Sequence, residues 1–181
     1  APREGVVINL AEMRLYYFDK DGNAPKTFPI GIGREGLQTP LGTTKVVRKA
    51  IGPSWRPTER MRKEDPDLPE VVEAGPDNPL GTHALYLGWP QYAIHGTNRP
   101  YGIGRRVSSG CIRMYPEAIV KAYDLIDVKT PVTVVDQALK VGWVEDMLYI
   151  EAHAGQELAD EMEKKGKVTA QKLSSDQIAY I

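Results

Sequence analysis

The sequence predicts a mostly β domain. Short runs rich in β-branched and aromatic residues recur through its first half. Turn clusters of Asp, Gly and Asn separate them, and clear helical periodicity first emerges at Pro116.

Residues 6–10 (Val-Val-Ile-Asn-Leu) and 13–18 (Met-Arg-Leu-Tyr-Tyr-Phe) read as strands, and the short Leu10-Ala11-Glu12 connection makes them a hairpin. Asp19-Lys20-Asp21-Gly22-Asn23 is a turn in which Gly22 takes positive φ. Strands follow over residues 26–32 and 43–50. Residues 53–79 hold six prolines among many charges. Proline removes ladder donors, so this stretch is an excursion rather than sheet, either a lid or a surface insertion. Strands resume over 83–87 and 92–95, and a Gly-rich loop spans 96–110. Residues 116–126 read as a helix, with Pro116 at its first position and Ile119, Ala122, Tyr123 and Ile126 on one apolar face. Residues 132–135 form a short buried strand. The character then changes: one more strand over 147–152, a charged helix over 156–165 and another helix over 174–181. The division expected is a main domain over 1–137 and a small C-terminal helical appendage over 138–181.

The chain has 181 residues, 41% hydrophobic and 26% charged, enough to bury a core without disulfides. A net charge of −1 gives no basic nucleic-acid footprint. No apolar run of about 18 residues is present, so no transmembrane helix is expected. The sequence opens on Ala1-Pro2-Arg3, as a mature chain after signal removal or a trimmed chain would. Nothing demands an obligate dimer, and a monomer is expected.

The only cysteine, Cys111, stands in Ser108-Ser109-Gly110-Cys111-Ile112-Arg113-Met114, sixteen positions after His95. A lone cysteine has no disulfide partner in its own chain, which leaves a buried inert thiol or a nucleophile. A nucleophile needs a base and donors for the developing oxyanion. His95 ends a strand whose alternation aims it out of the sheet, and Gly96 allows close backbone approach. The Gly110 and Cys111 amides are placed to converge on one oxyanion, and the helix opening at Pro116 adds positive potential. Arg113, two residues on, shares the face of Cys111 in an extended segment. It either grips a substrate carboxylate or makes a structural ion pair. His83 reads as a satisfied structural histidine and His153 as solvated. One cysteine and three scattered histidines lack the paired spacing of a zinc site, so neither metal nor cofactor is expected. Gly31-Ile32-Gly33 precedes no helix and is no dinucleotide fingerprint.

Several stretches carry a family resemblance. They are Phe28-Pro29-Ile30-Gly31-Ile32-Gly33, Thr39-Pro40-Leu41-Gly42, Ala74-Gly75-Pro76-Asp77-Asn78-Pro79-Leu80-Gly81, Tyr92-Ala93-Ile94-His95-Gly96-Thr97-Asn98 and the segment from Ser108 to Met114. With them the chain resembles the L,D-transpeptidases with the YkuD catalytic domain, in their ErfK-like Gram-negative branch. The resemblance implies two packed mixed β-sheets, a β-sandwich, with a helix after the cysteine. It implies a periplasmic enzyme that attacks the diaminopimelate carbonyl of a peptidoglycan tetrapeptide stem, expels D-alanine and holds a thioester. An amine acceptor follows, either another stem, giving a 3-3 cross-link, or the terminal lysine of an outer-membrane lipoprotein. Some relatives hydrolyse the bond instead, which keeps an L,D-carboxypeptidase and a lipoprotein-releasing amidase as alternatives; a catalytically inert cell-wall-binding module is the alternative of another class. Members are commonly acylated by carbapenems.

On this chain the resemblance makes Cys111 the nucleophile and His95 the base and acid, with the Gly96 carbonyl orienting the imidazole. It gives the oxyanion hole to the amides of Ser109, Gly110 and Cys111, and substrate binding to Arg113 and Asn98. Many members carry histidine where this chain has Ser109, which leaves His95 as the one nearby imidazole. The 53–79 excursion becomes a lid.

Overall fold

The computed structural model describes residues 1–165. Eleven strands and three helices are found among them. β1 (Gly5–Asn9) and β2 (Arg14–Phe18) form the expected hairpin, with Gly5 opposite Phe18 and Asn9 opposite Arg14. β3 (Lys26–Gly33) and β4 (Gly42–Ile51) follow. Within the proline-rich excursion lies α1 (Glu59–Glu64), its first turn capped by Thr58, whose hydroxyl accepts from the Met61 amide. β5 (His83–Leu87) and β6 (Ala93–His95) match their expected positions. The Gly-rich loop is more ordered than expected: it contains a 3₁₀ turn (Pro100–Gly102), β7 (Arg106–Ser108) and, after the cysteine, β8 (Ile112–Met114). α2 (Pro116–Leu125) and β9 (Pro131–Val135) complete the main body.

The strand order is β2-β1-β9-β4-β5-β6-β8-β3-β7, and β2 also pairs with β3. The ladder therefore closes on itself, which corrects the expectation of two packed sheets: the main body is one barrel-like sheet. The cause lies in β3. Its first half pairs with β2, Ile30 and Gly31 pair with β8, and Ile32 and Gly33 pair with β7. One strand thus bridges what would be two sheet edges, and closure removes unpaired edge donors. Val6, Ile8, Leu15, Ile30, Ile94, Ile112 and Val132 are fully buried inside, with Ile119 and Ala122 of α2 packed against them.

A second correction concerns the C-terminal segment. It is not wholly helical: the strand expected over 147–152 is present as β11 (Met147–Ala152), and it pairs in a hairpin with an unexpected β10 (Leu139–Val144), whose two-residue turn places Glu145 at φ 53°. α3 (Gln156–Lys165) follows, with its first amide donating to Asp136 Oδ2 at 2.7 Å. The helix expected over 174–181 lies outside the described residues. Among those described, no helix is long and apolar enough to cross a membrane.

Candidate active site

The site is built on the parallel pair β6–β8. Ile94 lies opposite Ile112 and His95 opposite Arg113. Side chains alternate along a strand, so Ile94 and Ile112 enter the core while Ala93, His95, Cys111 and Arg113 share the other face. Cys111, just ahead of β8, falls one pleat from His95 on the neighbouring strand. Such diagonal neighbours are spaced by about 7–8 Å, within reach of an aromatic ring. Three residues that the sequence reading singled out, His95, Cys111 and Arg113, are thus brought onto one surface.

His95 is 4% exposed. Its Nδ1 lies 2.6 Å from the Gly96 carbonyl oxygen. A carbonyl only accepts, so Nδ1 carries the proton and Nε2 keeps its lone pair. Burial lowers the imidazole pKa to about 4; the Gly96 carbonyl pulls it up, the Arg113 charge pushes it down, and the Leu80 backbone raises it. The Cys111 thiol is partly exposed, and its Sγ donates to the Gln91 carbonyl at 3.4 Å. Burial raises its pKa, while the Ala93 backbone and the Arg113 guanidinium oppose that rise. At neutral pH both groups are therefore uncharged. Arg113 has a lowered pKa, from burial above all, and its buried Nε has no hydrogen-bond partner among the described residues. That is an unmet donor beside the thiol.

The turn before Cys111 is held by two buried hydroxyls to which the sequence reading gave no role. Ser108 Oγ donates to the Cys111 carbonyl (2.6 Å) and accepts from the Gly110 amide (3.1 Å). Thr39 Oγ1 donates to the Gly110 carbonyl (2.8 Å) and accepts from the Gly33 amide (3.2 Å). Thr39 stood in a motif stretch, and a polar residue before proline was the available signal. Gly110 is at φ +107°, and a Cβ there would meet the Tyr92 ring at 2.8 Å, so only glycine fits the turn. The Gly110 amide is thus occupied in this structure. Asn98 is exposed and its amide donates to the Asp77 carbonyl at 2.9 Å.

The excursion reaches this site. Arg60 Nη2 of α1 donates to Ser109 Oγ at 3.1 Å. The excursion is tied at its base by a bridge between Trp55 and Val72 and by Asn78. Asn78 is fully buried, and its amide donates to the carbonyls of Pro53, Val72 and Glu73. The other histidines stand apart: His83 packs edge-on against Tyr123, and His153 bonds Glu151 at 2.7 Å.

A closed β domain carrying a cysteine and a carbonyl-oriented neutral histidine on adjacent parallel strands defines a class of cysteine-site proteins. Comparison with known proteins narrows it. The model of the L,D-transpeptidase catalytic domain, YkuD, matches residues 3–134, and the chain belongs to that family. It is 50% identical over 156 residues to the probable L,D-transpeptidase YbiS of Escherichia coli K12, covering 83% of this chain and 51% of that protein. It is 49% identical over 143 residues to the probable L,D-transpeptidase ErfK/SrfK of the same organism, covering 76% of this chain and 46% of that protein. The chain thus spans about half the length of these curated relatives. In fold it is similar to an L,D-transpeptidase from Mycobacterium smegmatis, with TM-score 0.57 and 23% identity over 74% of this chain and 58% of that one. It is also similar to LdtMt1 in complex with imipenem, with TM-score 0.57 and 19% identity over 74% and 59% of the two chains.

Proposed function

We propose that this chain is a cysteine-dependent L,D-transpeptidase acting in the periplasm on peptidoglycan tetrapeptide stems. The observation that carries the reading is the shared face of Cys111, His95 and Arg113 on β6–β8. His95 Nε2 takes the thiol proton as Cys111 Sγ attacks the diaminopimelate carbonyl. Both groups are neutral at rest, so proton transfer accompanies attack rather than preceding it as a standing ion pair. The oxyanion meets backbone amides at the turn. Those of Ser109 and Cys111 serve first, and that of Gly110 joins when Ser108 releases it. The C–N bond to D-alanine breaks, His95 returns the proton to the leaving amine, and a thioester remains. An acceptor amine then attacks, loses its proton to His95 and regenerates the thiol. Arg113, with its unpartnered Nε, grips a stem carboxylate. Asn98, held through one amide N–H by the Asp77 carbonyl, offers its other N–H and its Oδ1 to the substrate. Residues 1–137 form the catalytic unit, 53–79 its lid and 138–181 an appendage.

The test is incubation with tetrapeptide muropeptides and mass analysis of the products. Dimers mark 3-3 transfer, and a lysine-linked product with lipoprotein peptide marks attachment. Free tripeptide alone marks a carboxypeptidase and overturns transfer. Exposure to a carbapenem should add its mass to the wild type and never to Cys111→Ala; a wild type that behaves like that variant is an inert wall-binding module.

A further inference from the structure

α3 follows the segment matched to the family, yet it grips both backbone stretches that hold the Cys111 turn. Arg106 of β7 is the one buried arginine or lysine among the described residues. Its side chain is 2% exposed, and its Nη2 is hydrogen-bonded to Asp160 of α3. Nη1 lies 3.2 Å from Glu163 Oε1 without making a hydrogen bond, and Nε has no partner among the described residues. Asp160 is therefore the principal acid that keeps this guanidinium inside; a buried cation that loses its partner tends to move toward water. Arg106 pairs with Ile32 across β3–β7, and two residues on is Ser108, whose hydroxyl brackets the turn. The second stretch, residues 34–39, is held by the same helix. Lys164 Nζ lies 2.6 Å from Glu35 Oε1, and Gln38 Nε2 donates to Asp160 Oδ2 at 3.5 Å. The adjoining Thr39 holds the Gly110 carbonyl.

We propose that Asp160 is a positioning residue for Cys111, acting through Arg106 and Ser108 from one side of the turn and through Gln38 and Thr39 from the other. The inference rests on Cys111 being the nucleophile. It assigns the C-terminal helix a part in the reaction that the matched segment does not contain.

The experiment uses the full chain with Asp160→Asn, Asp160→Glu and the milder Glu163→Gln. Three quantities are read: carbapenem acylation by mass and iodoacetamide alkylation of Cys111 against pH, both at 25 °C, and the thermal unfolding midpoint from a temperature scan. A loosened turn misaligns the sulfur and also uncovers it. Asp160→Asn should therefore acylate roughly tenfold or more slowly, a scale expected of a small misplacement of a reacting group. Its alkylation profile should move to lower pH as the thiol loses the burial that raises its pKa. Asp160→Glu should recover most of both, and Glu163→Gln should show the same two changes a few-fold in size with the fold intact. A role confined to stability would lower the unfolding midpoint and leave both rates alone; that result, in either neutral variant that folds, overturns the proposal. If the wild type itself resists acylation while Cys111 alkylates, the nucleophile reading is what fails, and the alkylation profile still decides whether Asp160 sets the turn.

Discussion

The barrel and the hairpin that follows it are made of the same residue types and end with opposite surfaces. Val6, Ile8, Val132 and Val134 of the barrel are at most 2% exposed. In the hairpin, Trp143 is 69% exposed, Val144 and Met147 59%, and Ile150 50%. Both are regular antiparallel or parallel ladders, so strand formation is not the difference. Closure is. Each barrel strand except the terminal β7 is paired on both sides around a filled interior, whereas β10 and β11 have only each other. The hairpin is attached by charge instead. Lys140 Nζ lies 2.8 Å from Glu12 Oε1 and 3.0 Å from Glu151 Oε2, and Glu12 is itself fully enclosed, bonded by Asn9 and Tyr16. Alternating apolar residues thus announce a strand, but not whether anything will cover it.

The largest effect expected on the barrel side is chemical. His95→Ala removes the one imidazole on the β6–β8 face and should abolish thioester formation, read as loss of carbapenem mass gain, with losses on the order of a hundredfold or more. Near wild-type acylation by this variant would separate the histidine from the chemistry altogether.

Next comes packing. Ile8→Ala deletes a fully buried side chain from β1 and should lower unfolding free energy by about 2–5 kcal/mol. Its counterpart Ile150→Ala, at a half-exposed hairpin position, should change it by less than about 0.5 kcal/mol. Paired denaturant titrations measure both. Equal losses would mean that the hairpin is packed in solution and would erase the contrast.

These outcomes bear on what the sequence could reveal. The run from β1 to β6, the helix after Pro116 and the Cys111–His95–Arg113 constellation were legible, because period-two patterning and motif spacing are local properties. Closure was not legible, since it depends on β3 dividing its length among β2, β8 and β7, and no periodicity records a partner. β7 and β8 were hidden by their three-residue length inside a Gly-rich stretch. β11 coincides with the strand expected over 147–152, whereas its partner β10 has an interrupted pattern, Leu139-Lys140-Val141-Gly142-Trp143, with a glycine at its centre. In the site, Thr39 acts on the carbonyl of Gly110, far off in sequence, and Ser108 on the nearby Gly110 and Cys111 backbone only because the turn folds back on it, so residue type alone could not assign either.

The smallest effect separates the two regions by protons. In the unfolded chain His95 titrates near 6.5, and in the folded barrel burial lowers it to about 4. Between those values the unfolded chain binds more protons, so folding stability contributed by the neutral ring is complete above about pH 6.5 and falls as pH drops toward 4. The shift corresponds to at most about 3 kcal/mol, spread over that interval. His95→Gln, which keeps a polar side chain but cannot titrate, should flatten this part of the profile relative to wild type. Unfolding free energies at pH 4.5, 5.5, 6.5 and 7.5 for the wild type and His95→Gln decide the matter, and a slope that persists in the variant would place the titrating group outside the barrel face that carries Cys111.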